Sequence, residues 1–298
     1  MKVDASVWRC DLASLTLPDE LPWVGSGRST VHPILGTVTG VKGCFAPPFA
    51  LPDLKLSIHL EADGCRIPDH GGTGMGDAGL LYAGGDWLPH AVERRGTYHV
   101  QRGSRLISLS VRSRLIPLFG QAGFLIEVEV RNRAGASVEL NVVPLLEPGH
   151  PYVLPLNRWA YSKPRPGAEL AEPVGPATWR ISGMVVHLHA EAAPTPVASG
   201  ATHTFRFAVT ADTEVTGAAD LALSNLAEKT KHQWESRLAT HLATIPELSG
   251  THSGLVDYYH RSLVSGLVSL WDHPDFLLHP HPATSGLDGG ALCAYLWD

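Results

Sequence analysis

The stretch LKLSIHLEA, residues 54–62, places Leu54, Leu56, Ile58 and Leu60 on one parity and Lys55, Ser57, His59 and Glu61 on the other. Side chains of an extended chain point alternately to its two faces, so this pattern predicts a strand with one apolar face. RLISLSVRSRLIPL, residues 105–118, repeats the pattern. It is clearest in GFLIEVEVRNRAGASVELNVVPLLEP, residues 123–148. There Leu125, Glu127 and Glu129 share one parity and Ile126, Val128 and Val130 the other; the turn RNRAGAS and a second run, VELNVVPLL, follow. Alternation on both sides of a glycine-containing turn predicts a hairpin with one wet face. TWRISGMVVHLHAEA (178–192) and THTFRFAVTAD (202–212) are further strand candidates. Strands recurring at short spacing, with turns and no helices between them, predict a mainly β fold built on a large antiparallel β-sandwich.

Near residue 217 the period changes. In AADLALSNLAEKTKHQWESRLATHLATIP the apolar residues Leu223, Leu226, Ala227, Trp234, Leu238 and Leu242 form one helical stripe, closed by Pro246. In SGLVDYYHRSLVSGLVSLWDHP a wider stripe of Leu255, Tyr258, Tyr259, Leu263, Leu267, Leu270 and Trp271 stops before Pro274. The loop HPDFLLHPHPATSGLDGG follows, and a third helix is predicted to begin near Ala291. The expected division is a β-domain over 1–215, a linker helix over 216–248, and the first helices of a second, helical domain over 249–298. Each predicted helix carries a broad apolar face, and two helices bury one seam between them. The expectation is therefore that these 298 residues are the N-terminal part of a longer chain.

Composition narrows the function classes. Charged residues make up 17% of the chain, and Gly (30) and Pro (23) are plentiful, which favours turns and short strands. The net charge of −6, with scattered arginines and no basic block, argues against a nucleic-acid or membrane-surface partner. The N-terminus, MKVDASVWRCDLASL, has acidic residues where a secretory signal needs an apolar run. No apolar stretch approaches the roughly 20 residues of a membrane helix. Cys10, Cys44, Cys65 and Cys293 lie far apart and form no CxxC pair, so they read as free, mostly buried thiols of a reducing compartment. A cytoplasmic location follows.

The chain contains a literal GxGxxG at Gly74, Gly76 and Gly79. A dinucleotide site needs that motif between a buried strand and a helix, whose N-terminus meets the pyrophosphate. Here LLYAGGDWLP follows, and Gly84, Gly85 and Pro89 leave no room for a helix, so a connection within the β-domain is expected and no cofactor. His187 and His189 sit two apart on a predicted strand; His279 and His281 share that spacing in a loop, with His273 nearby. A zinc site needs three or four convergent ligands. Neither pair has an evident third at short range, so hydrogen-bonded or solvated histidines are expected and no metal.

Asp288 lies inside GLDGG, where a carboxylate caps a turn or helix, or faces a ligand. The final ALCAYLWD is sharper. An indole such as Trp297 covers the apolar face of a sugar. A carboxylate such as Asp298 takes hydroxyl hydrogen bonds or protonates a glycosidic oxygen. A general acid must be protonated at working pH, and Tyr295, Leu296 and Trp297 supply apolar surroundings that raise a carboxyl pKa by desolvation.

Taken with the linking helix and its Trp234, LVDYYHRSLVSGLVSLWDHPDF and SGLDGGALCAYLWD resemble the six-hairpin glycosidases. That broad group includes trehalases, glucosidase I, glucoamylases and maltose phosphorylases. The resemblance implies a mutarotase-like supersandwich followed by an (α/α)6 barrel. It implies a glycoside hydrolase acting on an oligosaccharide or glycoside by an inverting acid–base mechanism, with carbohydrate as the partner. In trehalase- and glucosidase-I-like members the Asp of Gly-Trp-Asp is the general acid; in glucoamylase- and phosphorylase-like members a similar Trp-Asp holds the sugar. Leu296 stands here where the first group has Gly, so the resemblance makes Asp298 either the catalytic acid or a sugar-holding carboxylate. Tyr295, Trp297 and Asp288 fall to substrate binding. Inversion needs a second carboxyl spaced to admit a water, implied further along the barrel, so the 298 residues alone are expected to be inactive. Two other readings stand beside it: a non-catalytic carbohydrate-binding or interaction module, and a mutarotase-like epimerase with its site in the sandwich. Trp8, Trp179 and Trp234 read as core in all three.

Overall fold

The computed structural model describes residues 4–14, 24–34, 36–46, 49–51, 54–69, 79–148, 172–175, 177–181, 184–191, 194–212, 221–274 and 279–282. Among these the fold is mainly β. In chain order the strands are β1 (Cys10–Asp11), β2 (Val24–Gly25), β3 (Thr30–Pro33), β4 (Val41–Ala46), β5 (Phe49–Leu51), β6 (Leu54–Ala62) and β7 (Cys65–Ile67). Next come β8 (Leu81–Leu88), β9 (Ala91–Arg102), β10 (Arg105–Pro117), β11 (Ala122–Asn132) and β12 (Val138–Pro148). Then follow β13 (Glu172–Gly175), β14 (Thr178–Ile181), β15 (Met184–Ala190), β16 (Thr195–Val197) and β17 (Thr202–Asp212). Two helices, α1 (Leu223–Leu242) and α2 (Ser253–Val268), precede the short strands β18 (Leu270–Trp271) and β19 (His281–Pro282).

Nine strands make one antiparallel sheet, in the order β1-β8-β9-β10-β11-β17-β15-β14-β13. A second antiparallel sheet runs β16-β12-β6-β4-β3-β2, with β5 on β4 and β7 on β6. The apolar parity of each long strand faces one shared core. Phe124, Ile126, Val128 and Val130 of β11 meet Leu56, Ile58 and Leu60 of β6 and Leu140 and Val142 of β12 in a single buried cluster. Full burial of such a side chain stabilises by about 1.5–3 kcal/mol, so the alternation read in the sequence decides which face turns inward.

β8 and β9 were not among the predicted strands. The inward face of β9 reads Val92, Arg94, Gly96, Tyr98, Val100, so a cation and a glycine interrupt its apolar parity. Both serve the buried connection between β3 and β4. Val38 lies over Gly96, where a Cβ would come within 2.4 Å of its Cγ2. Arg94 Nη1 donates to the Gly40 carbonyl at 2.6 Å and to Thr37 Oγ1 at 3.3 Å. The Asp69 carboxylate accepts from the Val38 amide at 3.0 Å and from the Thr39 amide and hydroxyl at 2.7 Å each. A cation takes the connection's carbonyls and an anion its amides, which is how polar backbone is tolerated inside the core.

Three sequence expectations need correction. Residues 178–190 form two strands, β14 and β15, rather than one. The hairpin expected over 123–148 does not form: β11 pairs with β10 and β17 and β12 with β6 and β16, in different sheets, and the outward face of β11 is wet at Glu129 and Arg131 but not at Leu125 or Glu127, which are buried. The buried face of α2 is not the predicted stripe: it consists of Val264, Leu267 and Val268, of which only Leu267 was in the stripe, while Leu255 and Tyr258 are exposed (61% and 71%) and Leu270 and Trp271 belong to β18.

The helices cover one end of the outer face of the nine-stranded sheet. Leu223 and Ala227 of α1 pack on Ala91, Ile116, Leu118, Leu125 and Ala208. Further along α1, Trp234 and Leu238 join Val264, Leu267 and Val268 of α2 and the N-terminal Ala5 and Trp8. No helix among the described residues is long and apolar enough to cross a membrane.

Candidate functional site

Asp288, Tyr295, Trp297 and Asp298 lie outside the described residues, as do Gly74, Gly76, Cys293 and the helix expected near Ala291. The described chain approaches that segment through β19, which pairs with β18 at Trp271↔His281 and Leu270↔Pro282.

β18 is held by the β2–β3 turn. Ser26 and Ser29 close that turn through an amide–carbonyl bond of 3.1 Å, and Gly27 sits at φ +91°, a conformation that suits glycine. Three successive carbonyls of the turn point at the helical layer. Trp234 Nε1 donates to Gly25 O at 3.2 Å, Arg237 Nη2 to Ser26 O at 3.4 Å, and the Asp272 amide to Gly27 O at 2.8 Å. At Gly25 a Cβ would sit 2.8 Å from the Val268 carbonyl, so the close approach of the α2 C-terminus depends on the missing side chain.

This seam gathers chemically capable groups. The Arg237 guanidinium lies 5.0 Å from the centroid of Phe119 and 5.3 Å from that of Trp234, within cation–π range of both. Burial holds Arg237 below its ordinary pKa, and Asp272 pulls it partly back. The Asp272 side chain is half exposed, and His279 Nδ1 lies 3.4 Å from its Oδ1. The seam thus offers solvent a carboxylate beside an imidazole, in the field of the Arg237 guanidinium and next to the buried Trp271. Its oxygens can accept hydrogen bonds from hydroxyl groups. Asp272 was not singled out from the sequence, although Trp271-Asp272 repeats the Trp297-Asp298 dipeptide.

The other constellations separate. His187 and His189 share one face of β15 with ring centroids 6.3 Å apart, but each turns to a hydroxyl, Thr178 at 3.2 Å and Thr210 at 3.1 Å. Burial, then the neighbouring His187, lowers the pKa of His189. Among the described residues no group of three or more His, Cys, Asp or Glu is placed to hold a metal ion. Gly79 of the glycine motif leads into the strand β8 rather than into a helix. Cys10, Cys44 and Cys65 form no disulfide among the described residues; of the three only Cys44 is buried, and burial pushes its thiol up to about 12, while Cys10 and Cys65 are half-buried.

Sequence reasoning missed a charged row across the nine-stranded sheet. Glu127 accepts from Arg114 and, at 2.9 Å, from Arg206, which also lies 3.6 Å from Glu191. Arg112 meets both Glu93 oxygens at 2.7 Å, and Arg9 and Arg95 stand 3.5 and 3.4 Å from Asp86. The register Glu93↔Arg114↔Glu127↔Arg206 puts opposite charges side by side, and the row largely neutralises itself. A scan against family models and a search of curated proteins both find no match for this chain.

Proposed function

We propose that this chain is the β-domain, linking helix and first barrel helices of a six-hairpin glycosidase acting on an oligosaccharide or glycoside. In this reading the two antiparallel sheets are a mutarotase-like supersandwich, and α1 is the linker. Trp297, Tyr295 and Asp288 bind the sugar, and Asp298 is the general acid or a sugar-holding carboxylate of an inverting pair. The protein is cytoplasmic. The observation that carries the reading is the two-faced α2. One face is seated against α1 and the β2–β3 turn, while Leu255 and Tyr258, three residues apart and so on one side of the helix, stay exposed. A helix inside an α/α barrel needs a second apolar face for its next neighbour, whereas one that only caps a sheet does not.

The test is Asp298→Asn in the protein at its natural length, assayed on a panel of α- and β-linked disaccharides and aryl glycosides. The expected result is hydrolysis by the unaltered protein and a loss of at least about 100-fold in kcat/KM in the variant, with folding unchanged. No hydrolysis of any substrate by the unaltered protein, or equal turnover by both, overturns the proposal.

A further inference from the structure

Asp272 is held from two sides. Its amide donates to Gly27 O of the β2–β3 turn at 2.8 Å. Its Oδ1 lies 3.4 Å from His279 Nδ1. Asp272 directly follows β18, and His279 stands just ahead of β19. The loop between the two strands is thus closed by the backbone at Trp271↔His281 and by a side-chain contact next to it. Strands of two residues offer too few bonds to persist on their own. Here the pair takes its place from the turn. Gly27 leaves room for Asp272: a Cβ there would stand 3.3 Å from Asp272 Cβ and 3.4 Å from Arg237 Nη2. Trp271, beside it, is buried.

Two contacts therefore meet at Asp272, one to the second sheet and one to the strand that carries the chain onward. ATSGLDGGALCAYLWD follows Pro282 directly. That run holds Asp288, Tyr295, Trp297 and Asp298, the groups assigned above to the sugar. Reaction at a glycosidic bond depends on placing the acid to within about 1 Å, whereas stacking on a sugar face tolerates more. A residue that fixes the entry of this run acts on the chemistry without touching the substrate.

We propose that Asp272 is a positioning residue of the sugar site. By joining the β2–β3 turn to His279, it fixes the β18–β19 pair from which the chain enters the segment bearing Asp288 and Asp298. This role rests on the glycosidase reading, and it makes a turn of the β part belong to the framework of the site.

The test takes Asp272→Ala, His279→Ala and the double variant in the protein at its natural length, on the glycoside that the unaltered protein cleaves fastest. Each single change should lower kcat by about ten-fold and move KM by less than about two-fold; the double variant should be no slower than either. Asp272→Asn, whose side-chain oxygen still accepts a hydrogen bond from His279, should recover most of the loss. A role in stability alone would lower Tm and leave kcat per folded molecule unchanged, so melting is read on the same samples. Hydrogen exchange of the peptide spanning β18 and β19 should quicken in both alanine variants. Additive losses, a rise in KM alone, no recovery in Asp272→Asn, or unchanged exchange would each overturn the role. Hydrolysis of no glycoside by the unaltered protein would end the glycosidase reading and this role together, whereas undiminished kcat in the variants of an active enzyme would end this role alone.

Discussion

The seam between the helices and the β2–β3 turn can be tested at Trp234. Trp234→Phe keeps an aromatic ring but removes the Nε1 donor, which leaves the Gly25 carbonyl without that partner in a buried setting. An orphaned buried carbonyl costs about 1–3 kcal/mol. The smaller ring adds about 1 kcal/mol in lost contacts, because Trp234 is completely buried and no solvent fills in. The Arg237 contact at 5.3 Å weakens slightly as well, since indole is the better cation–π partner. The sum is a loss of about 2–4 kcal/mol in urea unfolding followed by far-UV circular dichroism. The Asp272 amide, bonded to Gly27 O two residues along the same turn, should lose hydrogen-exchange protection in parallel. A stability loss under about 0.5 kcal/mol, or unchanged protection at Asp272, would mean that the three carbonyls do not act as one unit.

Two titratable groups give further checks. His90 is held at about 4, first by burial and then by Lys231, against an ordinary value of 6.5. The unfolded chain therefore takes up this proton first: the contribution is complete above pH 6.5 and is lost as pH falls towards 4, by up to about 3 kcal/mol. His90→Gln should flatten the fall in unfolding free energy between pH 7 and pH 4.5 by about that amount, and parallel profiles would refute the assignment. Cys44, with its thiol near 12, should resist iodoacetamide at pH 8 in the native protein while Cys10 and Cys65 react; comparable labelling of all three by mass spectrometry would contradict its burial.

The sheets were legible wherever one face of a strand is uniformly apolar. β6 alternates buried and half-buried residue for residue over 56–62, and the apolar parities of β11 and β17 lie in the shared core, although α1 and flanking arginines also bury Leu125, Glu127 and Ala208 on the other side. β9 was illegible for a specific reason. Its inward Arg94 and Gly96 answer to the β3–β4 connection, which supplies carbonyls for one and a valine for the other. No window of β9 alone contains that information. Glu127 misled in the opposite direction. A carboxylate on the polar parity reads as solvated, yet Arg114 and Arg206 on flanking strands cover it, and only the register reveals them. At the candidate site, Trp-Asp dipeptides were visible in the sequence, but Asp272 and Arg237 are both fixed by carbonyls of the β2–β3 turn, more than 200 residues earlier in the chain.

The same contacts bear on where the β part of the molecule can be separated. A cut at residue 215 preserves every strand of the two large sheets but removes α1. Ala91, Ile116, Leu118, Leu125 and Ala208 would then lose Leu223 and Ala227, and a contiguous apolar patch on the outer face of the nine-stranded sheet would meet water. Patches of this kind drive association unless a partner covers them. Residues 1–215 produced alone should therefore bind a hydrophobic dye and self-associate in sedimentation, whereas residues 1–248 should do so less, because α1 restores that cover and returns Trp234 to Gly25. Equal dye binding and equal sedimentation of the two pieces would show that the patch does not need α1. The β sheets would then stand as a unit without the helix, and a binding module in its own right would gain on the glycosidase reading.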